Sequence, residues 1–396
     1  MQKDLNTLTS IEDKDFFHTY KRLKIVIEKG EGCYLYTDNG SKILDMFGGL
    51  AVNVLGYNHK KLNEAIEKQI KRYLHLSNYF YQDTQIELAE RVLAMSGYKR
   101  IFFSNSGTES IEGAIKLIRK FFKGKEKKTL VSFSGSFHGR TMGALSLTGR
   151  KKYKEDFGPF LSDTKRLEFN SPWDLRNNID EKTAAIFIEP IQGEGGVNAA
   201  SDEFVKEIIK LQNKFEFIIV ADEIQSGVGR TGKLHGFGHF GLKPDIVTLA
   251  KGIGGGLPLG AILGNERVSE VFNYGDHGST FGGSPVAAAG GIVVFNELKN
   301  GLMDKVVSTG NYLKLKLKTI QQKYPDKIRE VRGLGLMAGI ELTFDGQNVV
   351  NKMMEKNVLV NCTNGNVIRL LPPLIIQESE IDLFTQAFED VIESHN

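Results

Sequence analysis

Two short apolar runs each end in a charged residue: Phe217–Ala221 runs into Asp222, and Ile246–Ala250 into Lys251. Runs of this length, rich in Ile and Val, are too short for helices and predict strands buried on both faces of a parallel sheet. The carboxyl ends of such strands are where open α/β sheets bind their ligands. An acid and an amine delivered to one edge suit a Schiff-base lysine facing the carboxylate that holds a pyridinium nitrogen, the core of a pyridoxal-phosphate site.

Other segments carry chemistry that is weaker when taken singly. SNSGTES (Ser104–Ser110) turns a short strand, Arg100–Ser104, into a helix with Ile111, Ile115, Ile118 and Phe122 at helical spacing. Free N–H groups, hydroxyls and the positive end of a helix dipole make a phosphate site there, although plain N-capping explains Ser and Thr equally well. FHGRT (Phe137–Thr141) follows the strand Thr129–Phe133. Its Phe137 could stack on a planar heterocycle and its Arg140 could take a carboxylate bidentately, against the plainer alternatives of core packing and a surface ion pair. EPIQGEGG (Glu189–Gly196) closes the strand Ala184–Ile188, and GDHGSTFGGSP (Gly275–Pro285) places Ser279 and Thr280 among glycines.

Two patterns mislead. Gly227-Val-Gly229-Arg-Thr-Gly232 matches the dinucleotide fingerprint, but DEIQS intervenes after the strand and the glycine-rich KLHGFGHFG beyond it cannot be the required helix. His235 and His239 have metal-ligand spacing for a helix, yet Gly236 and Gly238 lie between them and no Cys or carboxylate is near in sequence, so no metal site is expected.

The elements needed to position these groups follow from the pattern of the chain. Strands alternate with helices from about residue 100 to 260, which predicts an α/β fold with a mostly parallel, doubly wound sheet. The 396 residues exceed what one core usually serves. Residues 51–302 are expected to form the large domain, with 1–50 and 303–396 forming a smaller α+β domain from both chain ends. In the first part, Asn39-Gly40 marks a hairpin. His59–Tyr73 and Thr84–Met95 read as helices, the second with Ile86, Leu88, Ala89 and Val92–Leu93 inward. The aromatics of SNYFYQ (Ser77–Gln82) could line a pocket or simply pack a loop. Val331–Leu342 reads as a strand–helix pattern, and the closing helix sets Ile381, Phe384, Phe388 and Ile392 on one face with Ser379 as its N-cap.

Bulk properties narrow the partners. A net charge of +3 gives no reason to expect nucleic acid or an anionic membrane surface. Cys33 and Cys362 are the only cysteines and have no zinc or disulfide spacing. The start MQKDLNTLTS lacks a secretory profile and no apolar run approaches ~18 residues, so a cytoplasmic protein is expected.

Taken together, NSGTE, FHGRT, EPIQGEGG, DEIQSGVGRTG, TLAKGIGGGLPLGA, GDHGSTFGG, RGLGLMAGIEL and RLLPPL occur in the order found in class III aminotransferases, which are fold-type-I pyridoxal-phosphate enzymes. The chain resembles that family over nearly its whole length, and its acetylornithine/succinylornithine branch in particular. The resemblance implies that Lys251 bonds the cofactor and shuttles the proton, and that Asp222 faces the ring nitrogen. It implies further that Gln225 reaches the phenolic oxygen, that Glu223 and Ile224 contribute to the same cofactor segment, and that Phe137 stacks on the ring with His138 adjacent. Ser106, Gly107 and Thr108 are then the phosphate cradle, helped by Thr280 from a neighbouring subunit of a homodimer. Arg140 takes the α-carboxylate of the amino donor, with Ser279 close by. Glu194 and Arg369 form a switchable pair in which Arg369 is covered during the ornithine half-reaction and freed for the second carboxylate of glutamate or 2-oxoglutarate.

The expected reaction moves the terminal amine of N-acetylornithine to 2-oxoglutarate. Succinylornithine, ornithine, 4-aminobutyrate and other ω-amino donors are the alternatives. Ile111, Ser284 and Lys60 depart from residues usual in the family. Leu50 is expected at a position where relatives that accept free ornithine carry Tyr, which favours an acylated α-nitrogen.

Overall fold

The two apolar runs form neighbouring parallel strands at the middle of a seven-stranded sheet. The computed structural model describes residues 4–395. In chain order the strands are β1 (Arg100–Ser104), β2 (Thr129–Phe133), β3 (Thr164–Leu167), β4 (Thr183–Ile188), β5 (Ile218–Asp222), β6 (Ile246–Leu249) and β7 (Gly260–Gly264). Across the sheet they lie β1-β7-β6-β5-β4-β2-β3. Only β7 runs against its neighbours, pairing antiparallel with both β6 and β1. Alternate side chains along a strand enter different cores, as the two-residue strand period requires. On β4, Ala185 and Phe187 pack with Ile111 and Ile115 of the helix α1 (Gly107–Phe121), whereas Ile186 and Ile188 pack with Phe204 and Ile208 of the helix Asp202–Phe215. This two-sided cover is why these strands read as unbroken apolar runs. Ile111, one of the family departures, is fully buried in the α1 core.

Elements from the two chain ends meet outside this sheet. The strands Tyr34–Thr37 and Lys42–Asp45 form the hairpin signalled by Asn39-Gly40, with Gly40 at φ +84°. Lys42–Asp45 then pairs in parallel with Val358–Leu359, more than three hundred residues later in the sequence. A further four-stranded sheet is made of Ile328–Leu334, Met337–Leu342, Val367–Leu370 and Asn361–Thr363.

Several expectations are corrected. Val331–Leu342 contains no helix: it is a hairpin whose turn holds Gly335 at φ +54°. Three glycines in RGLGLMAGI weaken a helix, and the apolar spacing there fits a strand as well. The closing helix Glu378–Glu393 is capped by Gln377, whose side chain and that of Glu380 satisfy each other's backbone N–H, so Ser379 lies inside the first turn. Ile86 is 43% exposed because the helix Asp83–Ser96 buries Leu88 and Val92 instead. A helix at Leu5–Asp15 has no buried residue and no apolar period to announce it. Among the described residues, no helix is long and apolar enough to cross a membrane.

Candidate active site

A cavity of about 440 Å³ opens where β1, β2, β4, β5 and β6 end, at the carboxyl edge of the sheet. Asp222 is the last residue of β5 and pairs across to Thr248 of β6; Lys251 follows β6 by two residues. Both line the cavity. Lys251 has φ +52°, a left-handed backbone that costs a non-glycine residue on the order of 1–3 kcal/mol and that ends the strand abruptly. Burial pulls the Lys251 amine below its usual basicity, and nearby Arg369 adds to this against the opposing pull of Glu194, Asp222 and Glu189. A larger share of the amine is therefore neutral and nucleophilic than in water.

Asp222 is almost wholly withdrawn from solvent and has two partners. Its Oδ1 accepts the Ile224 N–H at 3.1 Å, and its Oδ2 lies 2.7 Å from Nδ1 of the buried His138. An ionised carboxylate can only accept, so Nδ1 carries the proton. Burial lowers the His138 pKa, but the bond and charge of Asp222, with Glu189 behind, outweigh it and leave the pKa raised. His138 thus backs the acid rather than facing the cavity alone.

At the other end lies the N-terminus of α1, a 15-residue helix. Ser106 caps it by accepting the Glu109 N–H at 3.4 Å, and the Glu109 carboxylate accepts the Asn105 N–H at 2.8 Å. Ser104 and Ser110 donate to the Ser106 carbonyl at 3.2 and 3.1 Å, which fixes the turn from beneath. The N–H groups of Gly107 and Thr108 have no acceptor among the described residues and line the cavity. This is an anion site at the positive end of a helix.

Phe137 and Arg140 form one side wall; Glu194, Ile224 and Gln225 also line the cavity. Arg369 is fully buried behind them. Its Nη1 donates to Glu194 at 2.5 Å and to Gln225 Oε1 at 3.2 Å, and its Nη2 donates to Asn361 at 2.7 Å. Burial raises the Glu194 pKa, but the charge and bond of Arg369, with Lys251 and Arg150, hold it below the ordinary carboxylate range. Arg140 is exposed and, among the described residues, pairs with no carboxylate.

Three expected residues stand elsewhere. The Glu223 carboxylate turns away from the cavity and accepts from Ser226 Oγ and the N–H groups of Gly236 and Phe237 at 2.7–2.8 Å. Adjacent positions at a strand end point oppositely, so Asp222 and Glu223 cannot share a cavity. Ser279 is held by Asn105 at 3.1 Å, one residue removed from the cavity lining, and Thr280 is exposed and does not line this chain's own cavity. Leu50 does not line the cavity either; Val52 does. The SNYFYQ aromatics do not line this cavity and are exposed, Tyr79 and Tyr81 each at 97%.

Glu189 is the residue the sequence reading passed over. It lines the cavity directly after β4, its Oε2 accepts the Phe137 N–H at 2.9 Å, and burial, opposed by His138 and aided by Asp222, pushes its pKa up to about 7. The signal was there: a charged residue closing an apolar strand, as at Asp222 and Lys251.

These residues suit pyridoxal phosphate. Its phosphate needs an anion cradle, its ring an apolar face and an acid for the nitrogen, and its aldehyde an amine. The unpaired Gly107 and Thr108 amides, Phe137, the His138-backed Asp222 and Lys251 surround one cavity. A side chain at Gly107 would place its Cβ 2.7 Å from Ile224 Cδ1, so Ile224, which also lines the cavity, would have to shift. The fold and the site are those of a pyridoxal-phosphate-dependent transaminase.

Comparison with known proteins narrows the class. Residues 16–392 match the family described as "Aminotransferase class-III". The acetylornithine aminotransferase of Methanocaldococcus jannaschii is 42% identical over 96% of this chain and 96% of its own. That of Caldanaerobacter subterraneus subsp. tengcongensis is 44% identical over 97% of this chain and 99% of its own. Among solved structures, the ornithine aminotransferase of Toxoplasma gondii superposes with a TM-score of 0.94 at 29% identity, covering 99% of this chain and 96% of that one. The omega transaminase of Pseudomonas jessenii in complex with PMP gives 0.91 at 26%, covering 98% and 97%. The chain belongs to the class III aminotransferases.

Proposed function

We propose that this aminotransferase moves the terminal amine of N-acetylornithine to 2-oxoglutarate, giving N-acetylglutamate semialdehyde and glutamate in arginine biosynthesis. It would act as a cytoplasmic homodimer. The observation that carries the reading is one free arginine on the cavity wall and one covered arginine behind it: Arg369 is closed by Glu194, which lines the cavity, while Arg140 has no acidic partner among the described residues. The curated relatives named above supply the choice of donor.

Bound in the cavity, pyridoxal phosphate supplies a carbonyl that carries the amine and a ring that accepts electrons from a broken C–H bond. Ser106, Gly107 and Thr108 would hold its phosphate, Phe137 its ring face, Gln225 its phenolic oxygen and Asp222 its ring nitrogen. His138, donating to Asp222, keeps that carboxylate oriented. Lys251 would bond the cofactor and then move a proton between substrate carbon and cofactor. Arg140 would clamp the carboxylate far from the reacting carbon, the α-carboxylate of N-acetylornithine or the γ-carboxylate of glutamate, with Ser279 near it. N-acetylornithine has no second carboxylate, and Glu194 would neutralise Arg369 while it is bound. Glutamate and 2-oxoglutarate need a second cation, and withdrawal of Glu194 exposes one.

The dimer is supported by an exposed aromatic patch. His75 and Phe281 pack at 5.2 Å, and Asn78 donates to the carbonyls of Ser279 and Gly282, joining two segments that also expose Tyr79, Phe80 and Tyr81. Such a patch marks an interface, and it contains Thr280, which would then serve the neighbouring subunit's phosphate site. The division into residues 51–302 and a unit built from both chain ends is supported by the pairing of Lys42–Asp45 with Val358–Leu359.

A steady-state panel of N-acetylornithine, N-succinylornithine, ornithine and 4-aminobutyrate, each with 2-oxoglutarate, tests the donor. N-acetylornithine should give the highest kcat/KM; a higher value for free ornithine or 4-aminobutyrate would overturn the assignment.

A further inference from the structure

Behind the wall that carries Arg140 lies an aromatic ring that the roles above do not use. The Arg140 guanidinium carbon is 4.0 Å from the centroid of Tyr153 and 5.7 Å from that of Phe137. Tyr153 ends the short turn Lys151–Tyr153 and meets Phe137 edge-on at 5.6 Å. The guanidinium of Arg150 lies 5.4 Å from the same ring. Arg150 in turn donates to the Glu194 carbonyl at 2.6 Å, with its carboxylate 3.9 Å away. One ring therefore contacts the wall phenylalanine, the free arginine and the arginine that holds the Glu194 loop.

The choice of an aromatic ring rather than an acid has a physical consequence. A carboxylate beside Arg140 would occupy the N–H donors that substrate must use. A ring face attracts the cation through its quadrupole and leaves the donor edge open for a bidentate carboxylate. An exposed arginine otherwise has the rotamer entropy of a long, flexible side chain to lose when it binds. Stacking removes part of that loss beforehand, which is preorganisation.

We propose that Tyr153 is a positioning residue: its ring presents the Arg140 guanidinium edge-on to the carboxylate that each substrate carries far from its reacting carbon, and through Arg150 keeps Glu194 in register with Arg369. This rests on the reading of Arg140 as the carboxylate clamp. The phenolic hydroxyl has no hydrogen-bond partner among the described residues, so the ring alone is required.

The test is KM against kcat in Tyr153→Leu and Tyr153→Phe holoenzymes, with pentylamine as a donor that lacks a carboxylate. Tyr153→Leu should raise KM for N-acetylornithine and for 2-oxoglutarate roughly two- to thirty-fold, the span of a cation–π contact. Its kcat and its single-turnover rate with pentylamine should stay close to wild type, and Tyr153→Phe should restore both KM values. Unchanged KM values in Tyr153→Leu would overturn the proposal. So would an equal loss with pentylamine, or a Tyr153→Phe enzyme as impaired as Tyr153→Leu. Should Tyr153→Leu melt before assay, Tyr153→Met, unbranched and better able to fill an irregular gap, carries the same expectations. KM values for both substrates that survive Arg140→Met, with Tyr153 intact, would instead sink the clamp reading itself.

Discussion

His138 Nδ1 donates to Asp222 Oδ2 at 2.7 Å, and both side chains are buried, His138 at 1% and Asp222 at 3% exposure. Asp222, proposed above as the acid for the ring nitrogen, is thus one end of a buried pair built from the loop after β2 and the end of β5. The raised His138 pKa sets a sign. A group whose folded pKa exceeds its unfolded 6.5 stabilises the fold fully below 6.5, and that contribution is lost as pH rises through the folded value.

His138→Asn should accordingly destabilise the apoenzyme by roughly 1–3 kcal/mol, the cost of leaving a buried acceptor short of its partner. The deficit in Tm against wild type should be greatest below pH 6.5 and narrow above the raised folded pKa. Melting curves across pH decide it; a deficit that widens as pH rises would be the wrong sign.

Lys251→Ala should lower kcat by at least about 10²–10⁴-fold, the usual contribution of a positioned proton carrier, with a further loss from the missing covalent bond. Borohydride treatment followed by peptide mass analysis should tag Lys251 in the wild-type holoenzyme and nothing in the variant. Substantial turnover by the variant would place the amine elsewhere.

Glu194→Ala leaves Arg369 with only Asn361 and Gln225 as partners. The ratio of single-turnover rates should then shift towards glutamate over N-acetylornithine by about tenfold or more, equivalent to ~1.4 kcal/mol. Because Arg369 holds the Glu194 pKa down, Glu194 stays ionised between about pH 6 and 8, and the difference in ratio between variant and wild type should be constant there. A difference that vanishes within that window would mean that the pair is not the gate.

Gly260→Ala tests the cradle without touching the cavity wall. A Cβ there would lie 2.6 Å from the Ser106 carbonyl and 2.7 Å from Ser110 Oγ, pushing the turn that aims the Gly107 and Thr108 amides. Cofactor affinity of the apoenzyme, measured by equilibrium dialysis, should fall by roughly tenfold or more. The far-ultraviolet dichroism should remain native, since β7 keeps its neighbours.

Asp222, Lys251 and the Ser106–Thr108 turn were legible because strand ends and helix starts are local events. A buried parallel strand needs unbroken apolar residues, so the first charge after it marks the ligand edge. The same rule would have found Glu189. The resemblance to class III aminotransferases added Glu194 and Arg369, which no spacing rule connects, and gave Arg140, already readable in FHGRT, its substrate.

What the chain's own order could not contain was distance across the fold. Arg369 meets a glutamate 175 residues earlier, and Arg140 meets Tyr153 through a turn with no periodic signal. The Asn39-Gly40 hairpin was readable, but its parallel partner at Val358–Leu359 was not. Local patterning depends on neighbours a few residues apart and is written in residue order. Glu223 shows the limit: side by side with Asp222 in the chain, it was consigned to another face by a strand geometry that alternates its side chains. Pairings such as His138 with Asp222 depend on how separate elements pack, and only the tertiary structure decides that.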